Sequence, residues 1–333
     1  MGKGIMLRLS IITTLYKSAG YMDKCLDTLL DQGLSEDEYE IILVNDGSPD
    51  DSLQKALAYE EKHSNIHVVS YEVNRGLAGA RQAGTDAARG QFLCYVDPDD
   101  YIEKHSFGKV LAQMEEENLD MLRFNYRMVD EDGDTLPKPS DARLIDYSPG
   151  IMDGPAFLKE KLGYGCFVWA YIYRTSLIKG SGVRFRQGDY FDDTAWLPRI
   201  IRKAGRINTT PEVRYCYYQR SDSLVNTVSR DAIVRKLDAE MVVVDRLCEQ
   251  MPEAEEDGTV PWYKAMNSKL ALAVLSTAAV DVPDKFGGYL KELRARRVFP
   301  LGCPNASRSQ KAKLALLNIA PRLFRSLIRQ KNK

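Results

Sequence analysis

Histidine is almost missing from this chain: His63, His67 and His105 are the only three in 333 residues. His63 and His67 are four apart but straddle an expected helix–strand boundary, and all three read as surface residues. Zinc chemistry and histidine-based nucleophilic catalysis need convergent imidazoles, so neither suits this sequence. Paired cysteines are also lacking. Six cysteines stand far apart at 25, 94, 166, 216, 248 and 303, with no Cys-x-x-Cys. Cys25 and Cys94 fall in apolar patterns and read as buried thiols of a reducing compartment. The first apolar run ends in Thr14-Leu15-Tyr16-Lys17, with no Gly-x-Gly-x-x-Gly, and no Gly-x-x-x-x-Gly-Lys occurs anywhere. The usual dinucleotide fold and the P-loop are thereby set aside. The longest apolar run, Leu270–Val280, is too short to span a bilayer. Leu7–Tyr16 lacks the cleavage-site pattern of a signal peptide. The expectation is a cytoplasmic protein that is not integral to a membrane. Acidic residues stop at Glu292: beyond it stand eleven Lys and Arg, which leaves −12 (35 minus 47) on residues 1–292 although the whole chain carries only −1.

What is present begins with ample apolar content, 44% of residues, enough for one large domain with an appendage or for two domains. Leu9–Thr13, Tyr39–Val44, Ile66–Tyr71 and Phe92–Val96 read as strands. Helical patterns alternate with them, including one that puts Met22, Cys25, Leu26, Leu29 and Leu30 on one face and is ended by Gly33, and one over 74–90 rich in alanine and glycine. Continuous apolar strands alternating with helices predict an α/β fold: a mostly parallel central sheet with helices on both faces. Further on, the pattern predicts a helix over Glu103–Asn118, a strand at Met121–Val129, a hairpin or loop over Asp130–Gly150, and a strand at Val213–Tyr218. From Asp231 the patterns are helical.

Two of the strands run into polar clusters. The second leads into Asn45-Asp46-Gly47-Ser48. The fourth leads into Asp97-Pro98-Asp99-Asp100, three carboxylates in four positions. In open α/β sheets the carboxyl ends of strands are where ligands bind. Carboxylates so close repel unless a cation lies between them, and hard ions such as Mg²⁺ or Mn²⁺ prefer oxygen ligands. The simpler alternative is a helix start, with Asp99 or Asp100 capping a helix from about Ile102.

Taken in order, Ser10–Gln32, Glu40–Ser52, Asn74–Tyr101, Trp169–Arg174, Asp192–Trp196 and Tyr217–Ser223 resemble the family-2 glycosyltransferases of the GT-A fold, the inverting type of bacterial cell-surface and exopolysaccharide synthesis. The resemblance implies a GT-A domain over 1–223, followed by a helical C-terminal region over 224–333. It implies a nucleotide-sugar donor, UDP-linked in expectation, and a glycan or lipid-linked acceptor. It also implies a site. Thr14, Leu15 and Tyr16 would line the nucleotide pocket. Asp46 would read the base, or else make an Asx turn. Arg81 would approach the donor, or else be a solvated helix charge. Asp97 would lie near ribose and metal, Asp99 would ligate the Mn²⁺ or Mg²⁺, and Asp100 would touch the sugar or cap a helix. Asp193 would be the catalytic base. Its neighbour Asp192, where the family usually has Glu, and Trp169 would meet the acceptor; a capping pair and a core tryptophan are the alternatives. Gln219 and Arg220 resemble a loop that closes over the diphosphate. Thr14, Lys17 and Gln82 replace the family's usual Pro, Asn and Asn, which bears on donor choice.

In the tail, Leu323, Phe324, Leu327 and Ile328 would share one face of a helix begun by Pro321, with Arg322, Arg325 and Arg329 beside it. Such a helix suits peripheral attachment to an anionic membrane surface, or else packs on the protein with its basic face solvated. No aromatic–basic motif of nucleic-acid recognition accompanies it. Two other functions compete with a transferase. A sugar-phosphate nucleotidyltransferase would need a Gly-rich basic loop that Thr14–Lys17 is not. A non-catalytic GT-A scaffold would have less reason to retain Asp46, Asp97, Asp99 and Asp193.

Overall fold

The computed structural model describes residues 7–138, 145–219 and 229–331. The chain divides into two compact units, Met1–Arg220 and Ser221–Lys333. The first begins β1 (Leu9–Leu15), α1 (Met22–Leu29), β2 (Tyr39–Asp46), α2 (Ser52–Lys62), β3 (Ile66–Tyr71), α3 (Gly76–Ala87) and β4 (Phe92–Tyr95). These strands lie in the order β3-β2-β1-β4 and every pair is parallel. All residues of β1, β2 and β4 are buried, as continuous apolar strands covered on both faces must be. The polar exceptions are paired: Ser10 Oγ donates to Glu40 Oε1 at 2.6 Å, and Arg89 Nη2 donates to Glu40 Oε2 at 2.6 Å.

The small residues of α3 are explained by its seat on β1 and β2. A methyl placed on Gly84 would come within 2.3 Å of Ile12 Cγ2 and 3.2 Å of Val44 Cγ2. Only glycine allows that approach.

The rest of this unit adds β5 (Tyr101–Ile102), α4 (Phe107–Glu116), β6 (Met121–Val129), β7 (Thr135–Leu136), α5 (Gly154–Glu160), β8 (Tyr171–Arg174), α6 (Thr175–Gly180), α7 (Asp192–Lys203) and β9 (Ile207–Tyr218). The sheet continues β4-β8-β6-β9-β5, with β7 beside β6. Here the expected parallel order gives way. The pairs β4/β8, β6/β8 and β5/β9 are antiparallel, and only β6/β9 is parallel. The expected Glu103–Asn118 helix starts only at Phe107, because Tyr101 and Ile102 pair with Cys216 and Tyr215 of β9. Neither Asp99 nor Asp100 therefore caps it. β9 begins six residues before its apolar pattern. Pro211 hid that start, and it sits in a bulge where Phe124 pairs Thr210 but Asn125 pairs Val213.

The second unit is helical: α8 (Arg230–Glu249), α9 (Met251–Asp257), α10 (Val260–Val280), α11 (Phe286–Ala295), α12 (Arg308–Ile319) and α13 (Pro321–Lys331). α10 is buried nearly all round, and α8, α11 and α13 pack on it.

Candidate active site

The strand order 3-2-1-4 reverses at β1, and it does so where polar residues leave three neighbouring strands. Leu15 pairs with Asn45, and Val96 N–H donates to Ile12 O. Thr14, Asp46 and the turn 97–100 thus emerge at one sheet edge. Asp46 ends β2 and accepts from Arg75 N–H at 2.7 Å, at the start of α3. Burial raises its pKa, against that hydrogen bond. Thr14 is nearly buried and Tyr16 is exposed. Leu15 is fully buried in the core, on a strand covered on both faces, so its side chain does not line a pocket.

The turn after β4 is braced from β9. Asp100 N–H donates to Asp97 O at 3.0 Å. Asp97 N–H donates to Tyr215 Oη at 3.2 Å, Tyr215 Oη donates to Asp100 Oδ2 at 2.6 Å, and Tyr218 N–H donates to Asp100 Oδ1 at 2.8 Å. Asp100 is buried, and burial together with Asp99 and Asp97 pushes its carboxyl well above the ordinary range. Both its oxygens serve β9, so a sugar contact is not open to it. Asp97 and Asp99 stay partly exposed. Tyr215 had no place in the sequence reading beyond a strand, and Tyr218 none beyond that strand and the Tyr217–Ser223 stretch of the resemblance; the run of tyrosines over 215–218 was the available signal.

Arg81 is the centre of the arrangement. It rises from α3, is buried, and is not a solvated helix charge. Its Nη2 donates to Asp97 Oδ1 at 3.0 Å, and its Nη1 donates to Asp192 Oδ1 at 2.9 Å and Asp193 Oδ1 at 3.0 Å. The guanidinium thereby ties the β4 turn to the first turn of α7, 111 and 112 residues away from it in sequence. Asp192 and Asp193 lie within α7, whose N-cap is Phe191. Asp97 and Asp193 keep 25% and 23% of their side chains exposed, while Asp192 keeps 1%. Asp192 is thus withdrawn from any acceptor, and its Oδ2 is buried without a partner. Burial drives the Asp192 carboxyl well above its ordinary pKa, against the pull of Arg81. At Asp193 burial is outweighed by the Arg81 charge and by hydrogen bonds, including that from Val168 N–H at 3.4 Å, so its carboxyl lies below the ordinary range. Within the pair, burial favours the protonated form of Asp192 and Arg81 favours the charged form of Asp193.

Trp169 does not face outward. It is 4% exposed and stacks on Tyr215 at 4.3 Å and Phe167 at 4.9 Å between ring centroids. The aromatic cluster consumes its faces, so the expected stacking on an acceptor is replaced by a core role behind Tyr215. Of the expected closing loop, Gln219 N–H donates to Val129 O at 2.9 Å, and Arg220 lies outside the described residues.

Among the described residues no three His, Cys, Asp or Glu side chains converge as a metal cage. The donor set of Asp97 and Asp99 nevertheless suits a small hard cation. Such ions are commonly held by one or two carboxylates together with substrate phosphates and water.

The family model "Glycosyl transferase family 2" matches residues 10–180. The uncharacterized glycosyltransferase EpsJ of Bacillus subtilis is 30% identical over 226 residues, covering 67% of this chain and 64% of that relative. In fold, the chain is similar to Staphylococcus aureus TarS 1–349 in complex with UDP-GlcNAc, with a TM-score of 0.72 at 19% identity over 98% of this chain and 91% of that one. It is also similar to the Pyrobaculum calidifontis mannosyltransferase PcManGT in complex with GDP-Man and Mn²⁺, with a TM-score of 0.56 at 15% identity over 98% of this chain and 88% of that one.

Proposed function

The chain belongs to glycosyl transferase family 2 and is a glycosyltransferase of the GT-A fold, and we propose that it is a divalent-metal-dependent, inverting enzyme that moves a hexosyl or N-acetylhexosaminyl group from a UDP-sugar to a hydroxyl of a glycan or lipid-linked acceptor in surface polysaccharide synthesis. The observation that carries this reading is the Arg81 bridge, which holds a partly exposed Asp97 and a partly exposed, ionised Asp193 about one guanidinium.

In this reading residues 1–223 carry the reaction, in the cytoplasm. Asp46 accepts the N3–H of uracil, with Thr14 and Tyr16 at the rim. Asp97 and Asp99 would hold Mn²⁺ or Mg²⁺ against the donor diphosphate. When bound, the cation supplies neutralisation of the leaving diphosphate. Asp193 takes the proton of the acceptor hydroxyl as that oxygen attacks the anomeric carbon opposite the leaving group, which inverts the centre. A base must be unprotonated to serve. Arg81 favours the charged form of Asp193, so the base is available at neutral pH. The UDP preference is supported by the likeness to the TarS complex and by an acidic residue at the end of β2.

Calorimetric titration of UDP, GDP and CDP with and without Mn²⁺ tests the proposal. UDP is expected to bind in a Mn²⁺-dependent manner to the wild type and not to Asp99→Ala. Asp193→Asn is expected to bind UDP like the wild type and to lose transfer by roughly 10²–10⁴-fold. Binding of none of the three nucleotides would sink the catalytic reading and leave the scaffold.

A further inference from the structure

The tail helix does not present the single apolar face that its sequence pattern predicts. Phe324 and Ile328 turn inward and are buried, while Leu323 and Leu327 turn outward at 51% and 47% exposure. Ile319, at the end of α12, is 85% exposed. Between α11 and α13 runs an open groove of about 1160 Å³. Phe286, Leu290, Ile319 and Leu323 give it apolar surface, and Arg294, Arg322, Arg325 and Arg329 line it. None of its lining residues is acidic.

The charges in this groove are unspent. Among the described residues none of these four arginines makes an ion pair, whereas Arg296 nearby is held by Asp245 at 2.5 Å and Arg230 by Asp284 at 2.8 Å. Arg325 instead lies 5.7 Å over the Phe286 ring. The covering partner must therefore bring both negative charge and apolar matter. Exposed arginines beside exposed leucines match the phosphate and acyl layers of an anionic bilayer, whereas free phosphate would leave the apolar floor bare. No described helix is long and apolar enough to cross a membrane, so any lipid contact is made from the surface.

We propose that the α11–α13 groove docks the chain onto the surface of an anionic phospholipid bilayer. Arg294, Arg322, Arg325 and Arg329 engage lipid phosphates, and Ile319, Leu323 and Leu327 enter the headgroup–acyl boundary. The reasoning uses only the second unit and does not depend on the transferase reading. Arginines near an anionic surface attract it cumulatively, and salt screens them within a Debye length.

Flotation of the full chain with vesicles of pure phosphatidylcholine, or with phosphatidylglycerol added, tests this. The wild type is expected to float with the anionic vesicles and not with the neutral ones, and to be released by salt. R322Q/R325Q/R329Q is expected to bind on the order of 100-fold more weakly. L323Q/L327Q, altered only at exposed side chains, is expected to lose binding while keeping its helical circular dichroism. Leu323→Trp on the otherwise native chain gives an independent readout: its emission is expected to shift to the blue with anionic vesicles only. Equal binding to both vesicle types, unchanged binding of the arginine triple variant, or full competition by millimolar inorganic phosphate without any Leu323→Trp shift would each overturn the proposal.

Discussion

Arg81 opposes one positive charge to three carboxylates inside the protein, and the balance decides which of them titrates. Taking the guanidinium away removes the charge that favours ionised Asp193, and Asp193 then takes up its proton at higher pH than before. Arg81→Met is expected to lower stability by roughly 3–5 kcal/mol in urea unfolding, the usual cost of breaking a buried ion pair from one side. Its transfer rate is expected to fall, and the acid limb of its pH–rate profile to move upward. Arg81→Lys is expected to restore part of the stability and little of the rate, because a single ammonium cannot fork between the two turns. An unmoved acid limb in Arg81→Met would show that the guanidinium does not set the charge of Asp193. At this scale the sequence was partly legible. The acidic turn and the α7 pair stood out as dense, ordered carboxylates. The fates of Asp100, Asp192, Leu15 and Trp169 did not, since burial depends on β9 and α3 arriving from far along the chain.

At the scale of elements, the seat of α3 on β1 and β2 is what delivers Arg81 to the strand ends. A methyl at Gly84 would collide with Ile12 and Val44, so Gly84→Ala is expected to destabilise by about 1–2 kcal/mol. That is an overpacking cost of roughly 1–3 kcal/mol, partly offset by about 1 kcal/mol of helix preference. Gly288 in α11 has nothing within 4 Å of the added carbon. Gly288→Ala is therefore expected to stabilise by about 0.5–1 kcal/mol in the same assay. If both substitutions act alike, close approach is not why α3 is rich in small residues. Elements with a continuous apolar run or a clear helical face were readable: β1 to β4, α1 and β6; from Asp231 only the helical character was. Short β5 and the start of β9 were not. Two residues carry no period, and Pro211 breaks the run that β9 resumes beyond its bulge.

At the scale of the molecule, the two compact units carry separate reporters. Trp169 and Trp196 lie in the first, and Trp262 lies in the second. The second unit also holds a carboxyl out of its ordinary range: burial raises Glu240 on α8 to about 7, with Lys236 opposing, and its Oε2 is buried without a partner. The folded state thus binds this proton more tightly than the unfolded state, whose glutamate titrates near 4.3. Its contribution is fully present below that pH and is lost as pH rises toward and through 7, by at most about 3 kcal/mol. Unfolding followed at Trp262 is expected to weaken between pH 5 and 8, and Glu240→Gln is expected to flatten that dependence. A flat wild-type profile at Trp262 would show that the Glu240 carboxyl ionises at its ordinary pH in the folded chain.

The sequence by itself determined the family and fold class, because strand–helix alternation and carboxylates at strand ends are local patterns that survive reading in one dimension. It also determined the charge asymmetry, which is a count. Only the tertiary structure decided which carboxylates share a counter-ion, since one arginine meets partners 16, 111 and 112 residues away. It likewise decided which of the tail's apolar residues are already spent on packing. Both depend on burial, and burial is a property of what the rest of the chain brings alongside.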